Sequence, residues 1–414
     1  MERAVLHVDC NKFYASVECL YRPEIRHLPV AVCGDAEQRR GIVLTKNEIA
    51  AKYHIKTGEA VWQARRKCPG LVCIPPDFPL YMRFSAMVRE ILSDYTDLIE
   101  PFGLDESWLD VSGSGNIGSG VFIAEEIRRR VKFELGITVS VGVSFNKIFA
   151  KLGSDYRKPD AVTVFDRENF RRLVWPLPAC ELLYVGPATS KKLRSCGIDT
   201  IGDIAAAPPD YLHLLFGKMG YVLFRFANGL DNEPVAPAGS APVIKSIGNS
   251  STAPRDLEND GDVKIMMMVL AESVGRRMRE QGFRCSTVSI SFRDNLLNGT
   301  VRQRKLERFT SDSDEIARAG MELFRGSWDW HLPLRSVGIS CSGFEHESGP
   351  FQLDLFDDGE RRLRRERLEK TVDSLKARFG NACIQRAALL GDKKLSGFNP
   401  YNDHVIHPVA YFKP

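Results

Sequence analysis

The sequence predicts a protein of several domains, α/β at its start and α+β further on, and three observations carry that expectation. Strand-like and helix-like stretches alternate over the first 165 residues; the strand signal then disappears from 166 to about 233; and the Pro/Ala/Gly-rich "NEPVAPAGSAP" (232–242) leads into a second alternating region. At 414 residues the chain is also too long for one hydrophobic core. In order, "AVLHVD" (4–9) reads as a buried strand and "FYASVECLYRPEI" as the helix after it. "PVAVCG" and "GIVLTKN" are strands joined by a polar loop, a helical stretch starts near Asn47, and "LVCIPP" (71–76) is a strand again. Between Asp77 and Thr96, Tyr81, Phe84, Val88, Ile91, Leu92 and Tyr95 recur on one face at helical spacing. The hairpin "FGLDESWLD" (102–110), a helix near 120–135, the strand "TVSVGVSF" (138–145) and a helix opening at Asn146 follow. Residues 166–233 form several short helices. Beyond 242 come a helix over 260–281, strands "STVSISFRD" and "GTVRQRKLERF", a helix over 313–325 and the strand "RSVGISCSGF". "HESGP" (346–350) marks a break before a highly charged segment, where Leu368, Val372, Leu375 and Phe379 share one face of a helix.

Hydrophobic residues at 43% and charged residues at 27% describe an ordinary soluble globular chain. No apolar run has the roughly 18 to 20 residues of a membrane span, and "MERAVLHVDC" lacks the apolar core of a signal peptide. Ten cysteines without C-x-x-C or His/Cys metal spacing point to reduced thiols and a cytoplasmic location. The net charge of +4 is unevenly spread: Arg276 to Arg308 holds nine Arg and Lys against three Asp and Glu. That block is either a solvated face or a nucleic-acid contact.

Asp105 and Glu106 stand side by side in an apolar frame. Neighbours on a straight strand point to opposite faces, and two close like charges disfavour each other's ionisation. The pair therefore suits a hairpin tip, or a place where a strong positive charge collects both. Asp9 ends the first strand, so three carboxylates can share one sheet edge and bind hard divalent cations through oxygen. The alternative reading makes Asp9 a helix N-cap and the acid pair a polar turn.

"VDCNKFYASVE", "GLDESWLD" and "VGVSFNKIFAKLGSDYRKP" (141–159), in that order and at those separations, resemble the motif series of the Y-family, or translesion, DNA polymerases, and in particular their bacterial members. The resemblance covers about residues 1–345. It implies a right-hand polymerase with a ferredoxin-like palm (1–10 and 75–165), small fingers (11–74), and a helical thumb (166–233) with a helix-hairpin-helix over 182–205. A linker (234–242), an α+β little finger (243–345) and a C-terminal tail (346–414) complete it. It further implies Asp9, Asp105 and Glu106 as catalytic carboxylates and the backbone carbonyl of Cys10 as a further metal ligand. The cofactor is then Mg²⁺, two ions, with Mn²⁺ as a possible substitute. Two such ions about 4 Å apart activate an attacking 3′-oxygen and stabilise leaving pyrophosphate. Phe13 and Tyr14 would lie under the incoming nucleotide, Tyr14 as the steric gate against a 2′-hydroxyl. Thr45 and Lys158 match triphosphate contacts. Asn146 and Lys147 match a motif in which capping and substrate contact are not separable.

The match departs from the family at "TKNEIAAKY", where Glu48 and Ala51 replace the usual triphosphate-clamping Tyr and Arg. Lys46 or Lys52 is a candidate for the missing charge. "LLYVGPATSKKLRSCGIDTIGDIA" (182–205) resembles a helix-hairpin-helix, which presents backbone N–H groups to a DNA phosphate. It keeps Gly186 but has Tyr184 for the second glycine, so a distorted hairpin is expected. In the basic block, Arg302, Arg304 and Lys305 are the candidates for phosphate contact, Arg302 and Arg304 sharing a strand face. "QLDLF" (352–356) resembles the peptide that docks bacterial polymerases on the sliding clamp, Gln352 as polar anchor and Leu353, Leu355 and Phe356 as apolar plugs. The expected partners are primer-template DNA, dNTPs and the sliding clamp, with a monomeric, nucleoid-associated protein and no membrane. The alternative is a DNA- and clamp-binding scaffold that has lost turnover through its fingers helix; a nucleotide cyclase ranks behind both.

Overall fold

The structure is a computed structural model that describes residues 3–35, 41–240, 243–346 and 359–403. It divides into two compact units, the first made of the residues up to Gly34 and Ile42–Ala241, the second beginning at Pro242.

In the first unit the order is β1 (Val5–Cys10), α1 (Phe13–Tyr21), β2 (Val30–Cys33), β3 (Val43–Lys46), α2 (Glu48–Ala51), α3 (Val61–Lys67), β4 (Val72–Ile74) and α4 (Phe78–Ser93). Next come β5 (Ile99–Pro101), β6 (Glu106–Asp110), α5 (Gly120–Arg130), β7 (Val139–Ser144), α6 (Lys147–Tyr156) and β8 (Val162–Phe165). Five short helices close the unit: α7 (Phe170–Leu173), α8 (Pro187–Ser195), α9 (Ile201–Ala206), α10 (Pro209–Phe216) and α11 (Lys218–Ala227).

The main sheet is ordered β5-β6-β1-β7-β8, with β1 antiparallel to both neighbours and buried along its whole length. A strand covered on both faces reads as a continuous apolar run, as "AVLHVD" does, apart from His7 and Asp9. The two-residue period sends Leu6, Val8 and Cys10 into the core with α1, α4 and α5, where the expected α4 face of Tyr81, Phe84, Val88, Ile91 and Leu92 is buried. Val5, His7 and Asp9 point the other way, beneath α6. There Gly142 of β7 stands opposite His7, and a Cβ on it would lie 1.9 Å from the Ala150 carbonyl oxygen. Only a glycine lets the backbone of α6 ride directly on the strand. A small sheet, β3-β2-β4, lies between α1 and α4 in the chain.

The stretch read as a linker is pinned to this unit through its first half. The Ala236 N–H donates to Glu100 Oε2 at 2.8 Å, the Ala238 N–H donates to the Asp97 carbonyl at 2.8 Å, and Val235 is buried beside Val5, Trp108 and Ala150.

The second unit is a four-stranded antiparallel sheet ordered β11-β10-β12-β9: β9 (Ser246–Leu257), β10 (Phe283–Asp294), β11 (Gly299–Thr310) and β12 (Leu334–His346). Helices α12 (Asp260–Glu280) and α13 (Ser313–Arg325) cover one face. The other face is lined with small polar residues, among them Ser246, Ser250, Ser289, Ser291, Ser340 and Ser342. β9 is absent from the sequence reading. "SIGNSSTAPRDL" has one β-branched aliphatic residue and reads as loop, yet smallness is what its pairing needs: a Cβ on Gly248 would sit 2.4 Å from that of Ser340.

Helix α14 (Gly359–Phe379) docks on this unit through charges. Glu369 and Asp373 hold Arg279 at 2.9 and 2.7 Å, Lys376 meets Glu272 at 2.7 Å, and Glu366 meets Arg284 at 3.1 Å. Of the apolar stripe on this helix, Leu368 and Phe379 are each 61% exposed and Leu375 is exposed beside them, while Val372 is half-buried. The peptide 352–356 lies outside the described residues.

Candidate active site

The register of β1 with β6 sets Asp9 opposite Glu106, and the Cys10 N–H donates to the Asp105 carbonyl at 2.8 Å, closing the hairpin tip onto the end of β1. Asp9 and Glu106, far apart in the sequence, thus bring their carboxylates together, and Asp105 adjoins them through its backbone carbonyl. Burial, then the charges of Asp9 and Glu106, push the Asp105 carboxyl up to about 6. Asp105 makes no ion pair among the described residues.

Two lysines that point into the cluster hold the other acids. Lys151 Nζ, from α6, lies 2.5 Å from Glu106 Oε2, 3.4 Å from Asp9 Oδ2 and 3.3 Å from Asp155 Oδ2. Lys158 Nζ lies 2.8 Å from Asp9 Oδ2 and 2.7 Å from Asp155 Oδ1. Burial opposes both ammonium charges, but the surrounding carboxylates outweigh it and raise both pKa values. Four carboxylates (Asp9, Asp105, Glu106, Asp155) face two ammonium groups, so the site is short of positive charge. Its exposed donors are carboxylate oxygens, the ligand chemistry of a hard divalent cation.

Sequence reasoning missed Lys151, Asp155 and His7. His7 is fully buried, its Nδ1 2.8 Å from Ser154 Oγ and its Nε2 3.4 Å from Glu106 Oε2. Burial first, then Lys151, hold its pKa well below the usual value, so the ring is neutral. His7, Asp9 and Glu106 each offer an atom within 4.8 Å of the others. The signal for His7 and Asp9 was their i, i+2 spacing on a buried strand; Lys151 and Asp155 share a helix face with i, i+4 spacing.

Beside the acids, α1 begins with Lys12 in the left-handed region at φ 50°. Phe13 is only 2% exposed and packs in the core, because the first turn of α1 faces the sheet. Tyr14 alone of the pair reaches the surface. Its ring stacks on Tyr81 at 4.4 Å and 13° and meets Phe78 edge-on, while the Tyr81 hydroxyl donates to Glu18 at 2.6 Å. Tyr14 is thus a backed, rigid wall. Thr45 is half-buried on β3. Glu48 opens α2 after the Asn47 cap and lies 4.0 Å from Lys12 Nζ. Lys46 donates to Thr57 Oγ1 at 3.3 Å, and burial together with Lys12 lowers its pKa, so two ammonium groups gather here. Lys52 is exposed on the far end of α2.

The remaining candidates fall elsewhere. Asn146 is fully buried and caps α6, accepting from the Phe149 N–H at 2.8 Å; Lys147 is buried against Glu100 at 2.8 Å and over the Trp108 ring, so this pair is structural. Gly186 caps α8 in extended conformation, and Tyr184 adopts φ 71°. The hairpin keeps its turn without the second glycine, at a cost of about 1–2 kcal/mol for a side chain in that region. Arg302, Arg304 and Lys305 are exposed on the edge strand β11. Arg302 and Arg304 pair with buried Ile290 and Val288, on the helix side, where Glu322 holds Arg304 at 2.7 Å; Lys305 lies on the opposite, serine-lined face.

Among known proteins, the family model described as impB/mucB/samB matches residues 8–155, and its C-terminal domain model matches residues 244–355. The chain belongs to this family, the Y family of DNA polymerases. A relative from Acetivibrio thermocellus named DNA polymerase IV is 50% identical over 397 residues, which are 96% of this chain and all of the relative. One from Bacillus subtilis, DNA polymerase IV 2, is 35% identical over 94% of this chain and 95% of its own. A solved Y-family DNA polymerase chimera of Dbh and Dpo4 superposes with a TM-score of 0.72 at 24% identity, covering 82% of this chain and 98% of the chimera. That likeness establishes the right-hand polymerase fold. Among the described residues no helix is long and apolar enough to cross a membrane.

Proposed function

We propose that this Y-family DNA polymerase extends a primer on damaged templates by nucleotidyl transfer at Asp9, Asp105 and Glu106. The β1–β6 register that sets Asp9 opposite Glu106, with the Cys10 N–H on the Asp105 carbonyl, supports the reading. Asp9, Asp105, Glu106 and the Cys10 carbonyl are the groups that would hold two magnesium ions, Mn²⁺ being a possible substitute. Such ions supply the charge that lowers the pKa of a primer 3′-hydroxyl and offsets that of pyrophosphate. Lys151 orients Glu106 and Asp9 on one face, and Lys158 does the same for Asp9 and Asp155. The domain spans follow the resemblance: palm 1–10 and 75–165, fingers 11–74, thumb 166–233, little finger 243–345. Lys12 and Lys46, with the Thr45 hydroxyl, supply the triphosphate contacts that Glu48 and Ala51 do not, and Lys12 offsets the charge of Glu48. This favours turnover over the scaffold reading, and insertion of single dNTPs on a primed template tests the two.

Tyr14 serves as the sugar gate. Tyr14→Ala is expected to raise the NTP-to-dNTP ratio of kcat/KM by about 10- to 200-fold, the range for a small steric difference in a packed pocket. An unchanged ratio removes the gate. On the DNA side, Gly186 of the helix-hairpin-helix and Arg302, Arg304 and Lys305 contact phosphates, so affinity falls steeply with salt. Gln352, Leu353, Leu355 and Phe356 dock a monomeric enzyme on the sliding clamp in the bacterial cytoplasm, at the nucleoid. Replacing Gln352, Leu355 and Phe356 with alanine is expected to bring the ratio of synthesis with clamp to synthesis without it down to one. Retained stimulation places the docking site elsewhere.

A further inference from the structure

Five tryptophans occur in the chain, and only Trp62 is exposed, at 61%. It sits in the first turn of α3, whose inner positions Val61 and Ala64 are buried, so the indole is anchored on a packed helix and offered to solvent. Around it lies an open concavity of about 700 Å³ bordered by Lys56, Thr57, Gly58, Gln63 and Arg66. Trp62 and Arg66 share a helix face by their four-residue spacing. Lys56 and Arg66 make no ion pair among the described residues. The one acid of the lining, Glu59, is held by Lys67, itself a lining residue, at 2.7 Å and by the Lys56 N–H at 2.8 Å. The wall of the concavity is continuous with the candidate triphosphate contacts, because Thr57 accepts from Lys46.

We infer that this concavity is a stacking platform for unpaired DNA, the indole taking a base and Lys56 and Arg66 the flanking phosphates. An exposed aromatic among cations is the pairing that single-strand grooves use, since every base has a π-face and every linkage a negative charge. A protein interface would instead centre the indole in an apolar, charge-poor patch. The platform as such stands on this geometry; that its occupant is the unpaired template ahead of the primer end rests on the polymerase reading.

Fluorescence titration of the full-length protein with a dodecamer of thymidylate tests the platform, because Trp62 is the most exposed of the five tryptophans and Trp62→Ala isolates its signal. Quenching on addition is expected, absent in Trp62→Ala, which binds about 5- to 150-fold more weakly, with partial rescue in Trp62→Phe. Arg66→Gln should lower the slope of log affinity against log salt by about one contact. Equal oligonucleotide affinity for wild type and Trp62→Ala, or no quenching, overturns the platform and leaves the face to a protein partner. Primer extension addresses the strand identity separately: the effect of Trp62→Ala on KM for DNA should grow as the 5′ overhang lengthens from one nucleotide to six. A length-independent effect overturns the template assignment, whereas a wild type that extends neither substrate overturns the polymerase reading and leaves the titration to decide the platform.

Discussion

Glu106→Ala is expected to reduce single-nucleotide insertion by about 10³-fold or more, the scale of losing one main electrostatic group at a reacting centre, with affinity for primer-template DNA within about twofold of wild type. Glu106 stands across from Asp9 in the β1–β6 ladder and is the nearest partner of Lys151, at 2.5 Å. Removing it takes away one of three acids and frees Lys151 to settle on Asp9 and Asp155, which already lie at 3.4 and 3.3 Å. The negative charge that collects divalent ions is then reduced twice, by the missing carboxylate and by closer neutralisation of Asp9. Glu106→Gln keeps the shape and loses the charge, so it should be nearly as inactive; activity in the glutamine variant would mean that geometry matters there and charge does not. DNA affinity is the control, since the phosphate-contact candidates lie on β11 and at α8. Insertion at the wild-type rate in Glu106→Ala would remove the metal assignment.

The acids were legible because three motif blocks keep fixed order and spacing, and the strand period then dictates that Asp9 and His7 share a face. What surrounds them was not legible. Lys151 and Asp155 are ordinary charged residues of a helix until the backbone of α6 is seen lying on β7, and that contact depends on a glycine carrying no hydrophobic signal. Strand β9 escaped for a similar reason: its residues are chosen for close pairing against Ser340 and Gly338, and not for β propensity. Helix α14 poses a different problem. Periodicity correctly put Leu368, Leu375 and Phe379 on one face, but cannot say which face docks; the partner surface offers Arg279, Lys376's mate Glu272, and Arg284, so ionic complementarity decides. At Tyr184 the turn outranks the residue, and packing beside Phe226 holds a backbone conformation that a bulky side chain disfavours.

Gly142→Ala should be among the most damaging single-methyl changes in the first unit. A Cβ there would lie 1.9 Å from the Ala150 carbonyl oxygen and 2.5 Å from the Ser154 nitrogen, both backbone atoms that no rotamer change can move. On the same crossing a Cβ on Gly153 would lie 3.0 Å from the Gly142 Cα, so the close approach of strand and helix rests on two glycines. The alanine must push α6 outward, which places the cost at or above the upper end of the overpacking range, about 3 kcal/mol. For a unit of this size that lowers Tm by about 6–12 °C, measurable by scanning calorimetry. Gly113→Ala, where a Cβ meets nothing within 4 Å, is the matched control and should melt with the wild type. The same displacement carries Ser154 away from His7 and Lys151 away from Glu106, so kcat falls at temperatures where the variant is still folded, although no acid has been touched. A Gly142→Ala protein with wild-type Tm would show that α6 does not ride on β7 as closely as the geometry requires, and the alignment of Lys151 with the acids would then need another cause.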